Sequence, residues 1–443
     1  MAARPPTPTI GGILVAMLVA VVPRPAMGAG PAAPREMSRF DREQGRMMLG
    51  VVRDDLERYY YDPTYHGLPL DKVFGRAAER IAEARVQAEI YGAIAEALLA
   101  LDDSHTYFVP PDWSARIEFG WFTQMIGDRC HLMAVRPDSE AESLGLRKGD
   151  RVLTIDGQEP TRERMPLMMY DQRLLRPRTH SRLVVQPPGG EEREVVVRPR
   201  VTPQKVISTR WDRSTIYREL EDQAYLDRHR FASFGDGLVV WKMPQFNLTR
   251  EEVGRVVSKV RKYPNLIIDM RGNPGGAVES LEYMAGAFLG EKVTIGAIHS
   301  RKPRQAIVTR KAPARFEGDV VVLVDSESSS AAELFARTMQ IAGRAKVLGD
   351  RTSGQVMMSR YYDRKVGMGT AVLFGASITV ADIIMTDGKS LEKNGVTPDE
   401  VLLPSAEDLA SDRDPVLSRA AALCGYSLEP DKAGTLFPLE WKR

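Results

Sequence analysis

The sequence predicts an α/β core, preceded by a helical unit and a smaller β-rich unit. Three observations carry this. Residues 38–101 place apolar side chains at three- and four-residue spacing, the period of a helix with one buried face. Residues 113–200 break into short alternating runs bounded by Gly, Pro and Asp, the text of strands and turns. From about Val201 onward, apolar runs of strand length alternate with amphipathic runs of helix length. That alternation is the pattern of helices layered on a largely parallel sheet.

The chain starts with "IGGILVAMLVAVV", thirteen residues at 10–22 that are too short to cross a bilayer as a helix. Small residues follow at Ala26 and Gly28. Residues 1–28 therefore read as an export signal cut before Ala29, which predicts a periplasmic or extracellular protein. Lys and Arg number 61 against 59 Asp and Glu, with no long run of one sign, so no nucleic-acid partner is expected. Cys130 and Cys424 are too far apart in sequence for a metal motif, and His66, His131, His180, His229 and His299 show no ligand spacing. Neither a metal nor a cofactor is expected. The sequence does not show whether the chain assembles.

Domain by domain, 37–110 is expected to be helical. "MMLGVVRDDLERYY" and "VFGRAAERIAEARVQAEIYGAIAEALLAL" are split by the breaker "YDPTYHGLPLD". In 113–200, Pro137-Asp138 and Gly149-Asp150 mark turns, and "SRLVVQPPGGEEREVVVRP" reads as a hairpin with Gly189-Gly190 near its tip. Core residues 201–410 carry "GLVVWKMPQF", "LIIDM", "DVVVLVD" and "KVLGD" as strands. Between them lie helices, the first opened by Thr249 and Glu252 in a capping box. Residues 411–443 read as a C-terminal appendage.

Two stretches of the core could carry chemistry. "LIIDMRGNPGG" ends a strand and turns through Gly275-Gly276 into a helix, a geometry that turns backbone N–H groups outward toward an oxyanion. A plain tight connection would read the same way. "VVVLVDSESSSAAELF" ends another strand, with Ser330 at the start of a helix and Glu333 three residues later. Ser330 is either an ordinary N-cap with its capping-box partner, or a nucleophile at a helix N-terminus beside the Ala331 N–H.

Read together, "DMRGNPGG", "LVDSESSSAAELFARTMQIAGRAKVLGDRTSG" and "GKSLEKNGVTPDEVL" resemble the C-terminal processing (tail-specific) peptidases. "LMAVRPDSEAESLGLRKGDRVLTIDGQ" resembles a PDZ domain, although Ala141-Glu142-Ser143-Leu144 replaces the commoner Ala-Gly helix ending. The resemblance implies a ClpP/crotonase-like layered core, an inserted PDZ-like domain that captures peptide, and Ser330 as nucleophile. It implies Gly275 or Gly276, with Ala331, as oxyanion donors. One branch of the family uses a lysine base, in the text "TFGKG". Here that position is Gln355, twenty-five residues after Ser330, and a nearby aspartate of that branch is replaced by Ile341. Arg360 is too basic to serve, and Lys365 lies ten residues past the expected position. The tricorn-like branch uses serine and histidine, in text like "DSHT". Asp103-Ser104-His105-Thr106 matches it, and the late glutamate near "GVTPD" points to Glu392. The resemblance thus implies His105 as general base, with Ser104 and Glu392 orienting it. The expected function is an exported serine endopeptidase acting on polypeptides, recruited in one version through a free C-terminus. The alternative is an inactive homologue that binds peptide or another ligand.

Overall fold

The computed structural model describes residues 37–111, 115–203, 228–302, 305–367 and 372–438. The proposed export signal lies outside them. Among the described residues no helix is long and apolar enough to cross a membrane.

A six-stranded sheet forms the centre. Its order is Glu400–Val401, Lys346–Gly349, Asp319–Val324, Asn265–Asp269, Leu238–Lys242 and Arg230–Phe234. All pairs are parallel except the last, which is antiparallel. Strand side chains alternate between faces, and this sheet buries both. Val239, Trp241, Leu266, Ile268, Val320 and Val322 face one core, with the helices Arg250–Val260, Val278–Leu289 and Ala331–Ile341. Leu238, Val240, Ile267, Val321 and Leu323 face the other, against the helix Pro415–Leu423. The C-terminal segment is therefore a structural layer rather than an appendage. Without it an apolar sheet face would be open to water. It is also pinned electrostatically, because Asp414 pairs with Arg271, which pairs with buried Asp269.

The first described elements are the helices Arg39–Tyr59, Leu70–Glu83 and Gln87–Leu99. They do not stand alone. Their core includes Phe374, Ala376 and Ile378 of a second sheet. That sheet is built on the long strand Val372–Met385, which pairs with Tyr107–Val109, Met358–Val366 and Thr294–His299. Residues just after "DSHT" thus leave the helical unit and join this sheet. Neither Met358–Val366 nor Val372–Met385 was read from the sequence as a strand.

The β-rich unit is a five-stranded antiparallel sheet, Trp121–Ile126, Arg129–Val135, Arg151–Ile155, Ser181–Gln186 and Arg193–Val197. The predicted hairpin pairs Ser181–Gln186 with Arg193–Val197. A short helix, Glu140–Ser143, follows the turn at Pro137-Asp138. This unit docks on the centre at several points. Gln124 Nε2 donates to Asp325 Oδ2 (2.7 Å), and Ser326 Oγ donates to the Met125 carbonyl (2.5 Å). Arg162 reaches Asp350 Oδ2 (2.5 Å) and the Arg351 carbonyl (2.9 Å). The unit also touches the second sheet, where Tyr170 Oη donates to the Phe108 carbonyl (2.5 Å).

Candidate active site

Ser330 sits between the strand Asp319–Val324 and the helix Ala331–Ile341, as its sequence position required. Its backbone is not that of an ordinary cap. The capping residues Ser38, Ser139, Thr249 and Ser405 have φ between −93° and −68° and ψ between 160° and 168°. Ser330 has φ 54° and ψ −120°. A non-glycine residue in such a region costs on the order of 1–3 kcal/mol and persists only when its surroundings impose it. Here two acceptors hold its N–H, the Gln355 carbonyl at 2.9 Å and Glu333 Oε2 at 3.1 Å.

Glu333 is fully buried and gathers further donors. Oε1 accepts from Thr352 Oγ1 (2.5 Å) and the Gly354 N–H (2.8 Å), and Oε2 accepts from the Gln355 N–H (3.0 Å). Burial pushes its carboxyl up to about 7, against the pull of these hydrogen bonds. The capping-box reading of Glu333 captured its bond to Ser330 and missed its hold on residues 352–355.

The glycine turn lies directly against Ser330. Gly275 has φ 94°, and a Cβ there would stand 2.6 Å from Ser330 Cβ and 2.8 Å from the Ala331 nitrogen. Gly276 has φ 140°, and a Cβ there would stand 2.3 Å from the Phe246 carbonyl oxygen. The Gly275 N–H is already given to Asn273 Oδ1 (2.9 Å). Of the two glycine amides, only that of Gly276 has no partner among the described residues, and the Ala331 N–H likewise has none.

Ser104, His105 and Glu392 meet. Ser104 Oγ is 2.6 Å from His105 Nδ1 and 2.9 Å from Glu392 Oε2, and the Ser104 N–H donates to Glu392 Oε1 (2.8 Å). An ionised carboxylate only accepts, so the single Ser104 hydroxyl proton points to Glu392. The Ser104 oxygen then accepts from Nδ1–H. In a neutral imidazole that arrangement leaves Nε2 as the nitrogen without a proton. Burial raises the Glu392 carboxyl, while the Val356 N–H and both Ser104 donors oppose the rise. His105 is 9% exposed, so its ring is largely shielded from water.

One peptide unit connects the two halves. The Gln355 carbonyl accepts the Ser330 N–H, and the Val356 N–H on the same peptide donates to Glu392 Oε2 (3.0 Å). The residue where a lysine was absent thus acts through its main chain. Arg360 and Lys365 are exposed on the strand Met358–Val366. Asp103, the first residue of "DSHT", has no expected role from the sequence, yet its Oδ1 accepts the N–H groups of both His105 and Thr106. An Asp whose carboxylate turns back on the N–H groups two and three residues later is a recognisable turn pattern and could have been read from the text.

Residues 238–402 match the model of Peptidase family S41. The carboxyl-terminal-processing protease of Synechocystis sp. is 25% identical over 335 residues, covering 72% of each chain. Tricorn protease homolog 2 of Streptomyces coelicolor is 26% identical over 413 residues, which cover 86% of this chain and 32% of that one. Among solved structures, mature CPAF superimposes with a TM-score of 0.61 at 15% identity, covering 84% of this chain and 96% of that one, which speaks to the fold. The family match and the relatives' names make this chain a serine-type peptidase, a hydrolase whose substrate is polypeptide.

Proposed function

We propose, for a chain that is a serine-type peptidase with relatives among the S41 C-terminal processing proteases, that it is an exported endopeptidase of the Ser/His kind. Ser330 Oγ attacks the scissile carbonyl. His105 Nε2 takes the serine proton and returns it to the leaving amine. Ser104 and Glu392 hold the imidazole in the required tautomer and stabilise its charged form. The N–H groups of Gly276 and Ala331 receive the oxyanion, and Gly275 permits the close approach. The β-rich unit acts as a PDZ-like domain that recruits or gates the chain to be cut, through a free C-terminus, in keeping with the names of the relatives.

The observation that carries this reading is the hydrogen-bonded chain Glu392–Ser104–His105 tied to Ser330 across the Gln355–Val356 peptide. The test is labelling by a serine-reactive fluorophosphonate and cleavage of unfolded protein. Ser330→Ala and His105→Ala should each lose at least about 10³-fold in rate. Activity at the wild-type rate in either variant would overturn the assignment. A well-folded wild-type chain that neither labels nor cleaves would favour a binding module in which Ser330 is structural.

A further inference from the structure

Asp103 precedes Ser104 and takes no part in the Glu392–Ser104–His105 chain, yet its carboxylate is fully engaged. Oδ1 accepts the N–H of His105 (2.9 Å), the N–H of Thr106 (2.7 Å) and the hydroxyl of Thr379 (2.7 Å). Oδ2 accepts the hydroxyl of Tyr60 (2.9 Å). Thr379 and Tyr60 are both buried. Thr379 belongs to the strand Val372–Met385, and its own N–H donates to Thr106 Oγ1 (3.1 Å). Tyr60 stands where the helix Arg39–Tyr59 ends, and the next residue, Tyr61, donates its N–H to the Thr379 carbonyl (3.1 Å).

Three segments distant in sequence therefore converge on one carboxylate. With Glu392 on the Ser104 N–H, the consecutive N–H groups of residues 104, 105 and 106 all end on carboxylates. None of these residues belongs to a helix or a strand ladder. Ordinary secondary structure does not fix the main chain that carries the imidazole, and these two carboxylates supply the missing acceptors.

We propose that Asp103 is a positioning residue, which sets where the His105 ring stands relative to Ser330 by holding the main chain of residues 105 and 106. The proposal rests on the Ser330–His105 reading. A shift of about 1 Å in the base costs on the order of 10²-fold in rate. All the partners of Asp103 are donors. Asparagine keeps an Oδ1 acceptor for three of them and turns only its amide toward Tyr60, whose hydroxyl can accept instead. Alanine leaves two N–H groups and two buried hydroxyls without the carboxylate that accepts them.

The test labels the full-length chain with a fluorophosphonate over a range of concentrations. The limiting rate reports activation of Ser330, and the half-saturating concentration reports binding. Asp103→Ala should lower the limiting rate by about 10²-fold with half-saturation within about twofold. Asp103→Asn should restore the rate to within about fivefold of wild type. The proposal is overturned if Asp103→Ala labels within about threefold of wild type, or if Asp103→Asn falls as far as alanine. If the alanine variant does not fold, Asp103→Glu replaces it. That variant keeps the charge but moves it by one methylene, so a loss of similar size supports the role and an unchanged rate overturns it. His105→Ala separates the two levels. If it labels at the wild-type rate, the base assignment itself has failed. If it is silent while Asp103→Ala labels normally, only the role of Asp103 has failed.

Discussion

Gly275→Ala inserts one methyl group between two segments that the proposed chemistry needs in contact. The added Cβ would lie 2.6 Å from Ser330 Cβ, 2.8 Å from the Ala331 nitrogen and 2.8 Å from the Ser329 carbonyl oxygen. Carbon atoms settle at about 3.5–4.0 Å, so Ser330 must retreat by roughly 1 Å. None of these atoms can rotate out of the way, because each is main chain or directly bonded to it. Alanine at φ 94° adds strain of about 1–2 kcal/mol, and the overpacking adds about 1–3 kcal/mol. The expected result is a loss of about 2–5 kcal/mol in urea unfolding. The labelling rate at Ser330 should fall by 10²-fold or so even at temperatures where the variant is folded. Gly343→Ala is the control. It too lies at positive φ, 59°, but a Cβ there meets nothing within 4 Å. It should lose about 1 kcal/mol and label normally. A Gly275→Ala protein that labels and cleaves like wild type would refute the claim that a glycine is needed here for close approach to Ser330.

Gln355→Ala should keep kcat/KM within about threefold of wild type, because residue 355 works through its main chain, whereas Gln355→Pro removes the N–H given to Glu333 and should cost about 10²-fold. Comparable losses in the two variants would assign a role to the glutamine side chain instead. Glu333 should also leave a mark on stability. Its carboxyl is pushed up to about 7 by burial, while an unfolded glutamate titrates near 4.3 in round figures. Between those values the folded chain holds a proton that the unfolded chain has released, so stability rises as pH falls through the window. The contribution is on the order of 3 kcal/mol. Urea midpoints at two pH values, taken just above 7 and near 5, should show this slope in the wild type and a shallower one in Glu333→Gln, where Glu327, also pushed up to about 7 by burial, still contributes. Equal slopes in both proteins would sink the idea.

Much of the fold is legible because its cause is local. Thr249 and Glu252 form the expected reciprocal cap, with the Thr249 N–H on Glu252 Oε2 (2.9 Å) and the Glu252 N–H on Thr249 Oγ1 (3.3 Å). The strands of the central sheet are short apolar runs whose alternate residues fill two cores. What failed to show was structure whose cause is remote. "SRYYDRKV" and "VLFGASITVADIIM" carry polar and small residues that break a simple period. They become strands because Val372–Met385 has partners on both sides and a layer of helices to cover it. The C-terminal helix Pro415–Leu423 looked peripheral for the same reason. Its burial depends on a sheet face whose need for cover is not visible in residues 411–443.

The candidate site divides along the same line. The sequence by itself determined the residue types: serine at the mouth of a helix, two glycines in a strand-to-helix turn, "DSHT" rather than a lysine, and a glutamine at 355. Only the tertiary structure decided that these belong together. Ser104 and Glu392 are separated by 288 residues and share hydrogen bonds, and the peptide between Gln355 and Val356 bridges their cluster to Ser330. It also decided which amides remain open, because Asn273 takes the N–H of Gly275 and leaves that of Gly276. The physical reason is that hydrogen-bonding capacity is a property of each residue, whereas the partner that uses it is chosen by the register and packing of strands brought together from across the chain.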